Sequence, residues 1–165
     1  MCSSDLIVIN TLNRARSLER LLPSLLHLEG AAFDVVVVNG PSTDDTLAVL
    51  SAFRDQLTIA QCPTPNLSRS RNIGIAHASG DVVVFLDDDA LPGDRSWLER
   101  LMARFEADTD GRVGAVGGPS WHRDTDWPEF AGGWTSDYAE QLFHDGPLPA
   151  GADPTRWVQI GRAHV

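Results

Sequence analysis

Cysteine is nearly absent. Cys2 and Cys62 stand in no metal-ligand spacing, which excludes a disulfide framework or a cysteine-rich metal site and points to a reducing compartment. Long apolar runs are missing as well: none approaches the roughly 18 residues of a membrane-crossing helix. No basic leader precedes an apolar N-terminal segment, so a cytoplasmic location is expected, or the cytoplasmic face of a membrane if a longer protein carries an anchor. Positive charge is scarce, with 13 basic against 23 acidic residues and a net charge of −10. That balance argues against nucleic acid or an anionic membrane as partner. An anionic ligand would need a metal and a few local arginines to reverse the field at its site. The first strand is followed by no G-x-G-x-x-G, which excludes a dinucleotide oxidoreductase. The five histidines form no ligand spacing and read as surface or loop residues.

What the chain does have is an alternation of apolar strands and amphipathic helices, at a length that suits one domain or most of one. Strands are predicted at Leu6–Asn10, Phe33–Asn39, Leu57–Ala60, Val82–Leu86 and Val113–Val116. Leu18, Leu21, Leu22, Leu25 and Leu26 fall on one helical face. Pro23 within that helix costs about 3 kcal/mol relative to alanine unless the helix kinks or starts late. Ser42-Thr-Asp-Asp45 offers a hydroxyl cap and early acidic residues for a helix reaching about Phe53. Further helices are predicted over 66–78 and around Trp97–Phe105. Strands spaced by helices imply right-handed crossovers, hence a three-layer α/β/α arrangement with a mostly parallel sheet. Ligands of such sheets bind outside the carboxyl ends of the strands.

Those ends are polar. The fourth strand leaves the sheet into Asp87-Asp88-Asp89, three carboxylates that resist joint ionisation unless a cation offsets them. Mn²⁺ or Mg²⁺ does so, taking one or two carboxylates together with substrate phosphate oxygens. The first strand ends in Asn10-Thr-Leu-Asn-Arg14 and the second in Asn39-Gly-Pro-Ser42. The turn after the third carries Arg69 and Arg71 near a helix start, two apart, so that at most one points inward. Arginine forks onto phosphate oxygens, and helix N-termini attract anions. Together these groups suit a nucleoside diphosphate held through a metal.

The order N-T-L-N-R, V-V-V-N-G-P-S-T-D, S-R-S-R-N-I-G-I-A and F-L-D-D-D-A-L-P resembles the nucleotide-sugar-binding half of the family 2 glycosyltransferases, with their GT-A fold, over roughly residues 6–120. The resemblance implies a metal-dependent enzyme that transfers a sugar from a nucleoside-diphosphate sugar to an acceptor hydroxyl with inversion. It sets Thr11, Asn13 and Arg14 on the nucleotide side and Asn39 where the family usually has a base-contacting aspartate. It sets Arg71 in the nucleotide-side R-N motif, Asp89 with Asp87 on the metal, and Asp87 or Asp88 on ribose or sugar. Asparagine at 39 keeps an acceptor and loses a charge, which leaves the base preference open. The acceptor-side base matches no motif here, although Asp124, Asp126, Glu129 and Asp137 lie in the tail. Residues 121–158 are expected to begin an acceptor-side region whose acceptor (glycan, lipid or protein) is unidentified, and the 165-residue chain by itself to be inactive in transfer.

The ends have a separate reading. MCSSDL and IGRAH back-translate to one oligonucleotide read on opposite strands, which resembles a sequencing adapter. The expectation is that residues 1–6 and about 159–165 are not native and that the gene continues beyond both. Two further classes compete. A haloacid-dehalogenase-like phosphatase also has Asp-x-Asp after a strand, but normally the first strand, and a nucleotide-sugar-binding module would bind without turnover. A nucleotidyltransferase would need a glycine-rich loop where NTLNRARS has none.

Overall fold

The computed structural model describes residues 5–30, 32–110 and 113–117, together with the backbone of four short strands beyond them. The chain divides into two compact units, residues 1–98 and 99–165. In the first, β1 (Asp5–Thr11), α1 (Ala15–Leu25), β2 (Phe33–Asn39), α2 (Thr46–Ala52), β3 (Thr58–Gln61), α3 (Leu67–Ile75) and β4 (Val83–Asp87) alternate along the chain. The strands form a four-stranded, all-parallel sheet in the order β3-β2-β1-β4. The connections through α1 and α2 step the chain one way across the sheet, and the connection through α3 carries it back past β1. Right-handed crossovers therefore put α1 and α2 on one face and α3 on the other. The strand order reverses between β1 and β4, a switch point at whose carboxyl edge ligands of such sheets bind.

Each face has its own core. Leu6, Val8, Val36, Val38, Ala60 and Cys62 are buried together, with Ile73, Ala78 and Val83 packed against them, on the α3 face. Strand alternation turns Ile7, Ile9, Val35 and Val37 the other way, the side of Leu18, Leu21, Leu22, Leu25 and Leu50, all buried. β2 is apolar on consecutive positions because both of its faces are covered. β4 pairs only with β1 among the described strands, and its Phe85 is half exposed.

The structure departs from the sequence expectations in places. α1 runs unbroken through Pro23, which lies in its last turns, and Leu26 falls just past the helix and is exposed. α2 starts at Thr46, and Ser42 is not its cap. Residues 113–117 form no strand: Val113 donates its N–H to Asp108 Oδ2 at 2.6 Å, and the glycines around Ala115-Val116 are poor strand formers. In the second unit, α4 (Trp97–Glu106), which begins at the boundary, precedes two antiparallel pairs: β5 (Ser120–Trp121) with β6 (Pro128–Phe130), and β7 (Trp134–Thr135) with β8 (Trp157–Val158). The rest of 121–158, the expected acceptor-side region, lies outside the described residues.

α3 approaches β1 closely because Gly74 has no side chain. A Cβ there would stand 2.3 Å from Val8 Cγ1, inside the α3-face core. Gly74→Ala should therefore overpack that layer and lower stability by ~1–3 kcal/mol, read as a drop in urea midpoint at unchanged slope. The double variant Gly74→Ala/Val8→Ala should recover part of the loss, whereas purely additive losses would contradict this contact.

Candidate functional site

The carboxyl edge is built by strand register. Thr11 stands beside Asn39, and Asn10 beside Asp87. The alternation of side chains then sorts the polar groups. Thr11, Asn39 and Asp88 belong to the α1/α2 face, while Asn10 and Asp87 belong to the α3 face. Contacts agree with this sorting: Asn10 Nδ2 donates to Ser70 Oγ of α3 at 2.6 Å, and Asp88 faces Arg14.

The loops after β1 and β2 are locked together by polar bonds. Asn13 has φ +55°, a left-handed conformation that asparagine tolerates better than most residues. Its N–H donates to Ser42 Oγ at 3.0 Å, and Ser42 donates its own proton to Asn39 Oδ1 at 2.7 Å. Asn13 Oδ1 accepts from Thr43 N at 2.7 Å. Arg14 N donates to Thr46 Oγ1 at 2.9 Å, and Ala15 N to Asp44 Oδ2 at 3.2 Å. The start of α1 is thus capped from the β2–α2 loop, since Arg14 at its N-cap position makes no side-chain cap. Asp44 also accepts from Thr46 N at 3.0 Å, and hydrogen bonding, first from the Thr46 side chain, holds its carboxyl below the ordinary value. Beneath these loops, Gly40 N donates to Thr11 O and Cys62 N to Asn39 O, both at 2.8 Å.

The three aspartates are unequal. Asp88 has a side chain only 13% exposed, whereas that of Asp89 is 49% exposed. Arg14 reaches across to both at 3.9 and 4.0 Å, loose ion pairs rather than tight forks. Burial pushes the Asp88 carboxyl above its ordinary value; the Thr11 hydroxyl and Arg14 pull it down, and Asp89 and Asp87 add to the rise. The Thr11 hydroxyl favours charge on Asp88 by proximity, yet its buried Oγ1 closes no well-formed hydrogen bond among the described residues. Among the described residues no three Asp, Glu, His or Cys side chains converge to hold an ion. Hard, sparse carboxylate oxygens fit Mn²⁺ or Mg²⁺, which keep positions for substrate oxygens, and do not fit a cation that demands a full protein cage.

On the other side of the edge, α3 begins at Leu67 with Asn66 as its cap, whose Oδ1 accepts from Arg69 N at 2.8 Å. Arg69 is exposed and Arg71 half-buried, so one of the two arginines points inward. The structure therefore gathers Thr11, Asn13, Arg14, Asn39 and Asp88 on the α1/α2 side of the sheet edge and sets Asp87 and Arg71 on the α3 side. Asp124, Asp126, Glu129 and Asp137 have no described side chains. Sequence reasoning named Asn10 only as a polar strand end and Asp44 only as an early helix acid, and it missed Ser70 and Thr46, their partners at this edge. Asn10, a polar residue closing an apolar strand, was the available signal.

Known proteins resemble this chain. The family model described as glycosyl transferase family 2 matches residues 6–155. An uncharacterized Mycobacterium tuberculosis protein, MT1568, is 34% identical over 68% of this chain and 35% of its own length. Validoxylamine A glucosyltransferase of Streptomyces hygroscopicus subsp. jinggangensis is 37% identical over 65% of this chain and 26% of its own. Among solved structures, the mannosyltransferase PcManGT of Pyrobaculum calidifontis, in complex with GDP-Man and Mn²⁺, superposes with a TM-score of 0.61 at 25% identity. That match covers 75% of this chain and 37% of the other. TarS 1-349 of S. aureus in complex with UDP-GlcNAc gives a TM-score of 0.55 at 28% identity, covering 62% of this chain and 31% of that one. The chain thus spans about a third or less of the length of these curated relatives.

Asp88 yields a pH-dependent expectation. Because its folded pKa is raised, the stability contributed by the protonated form is complete below the unfolded value and is lost as pH rises through the folded one. Asp88→Asn should therefore raise the melting temperature of the ligand-free protein at pH 7, with the gain shrinking as pH falls towards 4. A gain that is equal at both pH values would show that charge burial at Asp88 is not its cause.

Proposed function

The chain belongs to glycosyl transferase family 2, and from that premise we propose that its sheet edge binds a nucleoside-diphosphate sugar through Mn²⁺ or Mg²⁺ for transfer to an acceptor hydroxyl with inversion. Its four-stranded parallel sheet with flanking helices is that of the GT-A glycosyltransferases. The observation that carries the proposal is the register at the switch point, which stands Asn10 against Asp87 and Thr11 against Asn39 at one mouth. The Mn²⁺ and GDP-Man of PcManGT and the UDP-GlcNAc of TarS support the reading.

In this scheme Thr11, Asn13 and Asn39 line the nucleotide side, Asp87 or Asp88 holds ribose or sugar, and Asp89, with Asp87, would hold the metal. A divalent metal there would supply charge for the departing diphosphate. Arg14, loosely paired with two carboxylates, is free to move onto phosphate oxygens, and Arg71 offers a second cation from the α3 side. The acceptor oxygen bonds to the anomeric carbon as the bond to the diphosphate oxygen breaks, and its proton passes to a base on the acceptor side. General-base help is worth about 10²–10⁴-fold and positioning up to ~7–11 kcal/mol. With no carboxylate here assigned as that base, we expect the 165-residue chain to show slow donor hydrolysis and no acceptor transfer. The cytoplasm, where nucleotide sugars and reduced cysteine coexist, suits this reading.

Calorimetric titration with UDP and with GDP, with and without Mn²⁺, tests the proposal. Affinity for at least one nucleotide should fall on chelation, and Asp89→Asn should remove most of the metal-dependent part. Arg71→Ala should cost ~1.5–3 kcal/mol, as for hydrogen bonds to charged groups, and Arg69→Ala much less. Equal affinity after chelation would contradict the metal role, and a dominant Arg69 would contradict the assignment of the inward arginine.

A further inference from the structure

Arg71 and Phe85 meet in a way that neither needs for folding. The Arg71 guanidinium carbon lies 5.6 Å from the centroid of the Phe85 ring. Arg71 Nε is buried without a hydrogen-bond partner among the described residues, and Phe85, on β4, is 43% exposed. A buried N–H without an acceptor costs more than an exposed cation–π contact returns. Burying the ring of Phe85 elsewhere would have stabilised the fold further. In the protein alone the pair is therefore not explained by its contribution to stability.

The surroundings say where the cation is held. Helical side chains lean towards the helix N-terminus, and for α3 that end lies at the carboxyl edge of the sheet. Ser70, next to Arg71 in α3, is bonded to Asn10, whose register partner is Asp87. Phe85 and Asp87 share a face of β4, two residues apart. The ring thus holds the guanidinium one same-face step below Asp87, and no acceptor among the described residues takes its Nε–H.

We propose that Phe85 is a positioning residue: its ring holds the Arg71 guanidinium, with its fork unspent, facing the diphosphate of the bound nucleotide. Pre-orienting a long side chain removes part of the ordering cost that binding otherwise meets. The inference rests on the proposed reading of the sheet edge as a nucleoside-diphosphate site.

The test uses the 165-residue chain, UDP with Mn²⁺ as probe, and two readouts. In the free protein, the Arg71 Nε–H resonance should be sharp and displaced by the ring current of Phe85, and Phe85→Leu should return it to the ordinary arginine position. In titrations, Phe85→Leu should weaken UDP about two- to tenfold, while Phe85→Tyr should bind like the parent chain. In an Arg71→Ala background, Phe85→Leu should change affinity no further. A parent resonance at the ordinary position overturns the stack. Unchanged UDP affinity in Phe85→Leu, or an equal loss in the Arg71→Ala background, overturns the positioning role while the nucleotide reading stands. A displaced resonance in a parent chain that binds no UDP overturns the reading and this role together.

Discussion

Parallel pairing of β1 on both of its sides is the constraint from which the rest of the structure follows. Its residues pair with β2 from Asp5 to Thr11 and with β4 from Leu6 to Asn10. A shift by one residue would exchange its two faces, turning Val8 away from Gly74 and Ile9 into the α3 layer. It would also exchange Asn10 and Thr11, and with them every polar partner at the edge. The apolar pattern thus sets the register for packing, and the register then delivers the site. No separate device is needed to bring the polar ends of β1, β2 and β4 together.

The loops convert this placement into a rigid mouth. Asn13, Ser42 and Asn39 form a chain of hydrogen bonds from the β1–α1 loop to the end of β2. Asp44 and Thr46 satisfy the first amides of α1, which would otherwise lack acceptors. The same wall carries an electrostatic imbalance. A chain of net charge −10 sets Asp88 and Asp89 beside the exposed Arg14, with Asp87 directly before them in the chain. Asp88 is disfavoured as an anion by its own burial. An arriving cation would relieve this imbalance, so the ligand-free edge stores part of what binding would use.

Much of this was legible in the residues themselves. Four consecutive valines can only be a strand covered on both faces, and the leucine spacing of α1 names its buried side. The polar strand ends followed from the same reading, because they interrupt apolar runs abruptly. What could not be read was long-range. Ser42 looks like a cap in a linear reading, and only the left-handed turn at Asn13 brings the amide that makes it a bridge. Which aspartate points inward depends on strand parity across the turn, a matter of register that Asp-Asp-Asp does not encode. The Arg71–Phe85 contact joins residues on different elements, and no local pattern announces it. Residues 113–117 misled for a different reason: their amide partner, Asp108, comes from the preceding turn and competes with a strand.

Under the proposed function, one register-built edge receives a metal and a nucleoside diphosphate together. Paramagnetic broadening by Mn²⁺ in the presence of UDP reads this directly, because backbone amides lose intensity with proximity to the ion. Loss should be confined to Thr11–Arg14, Asp87–Ala90 and the start of α3, with weaker or scattered loss when UDP is omitted. Broadening centred elsewhere in the chain, or unchanged by UDP, would contradict it.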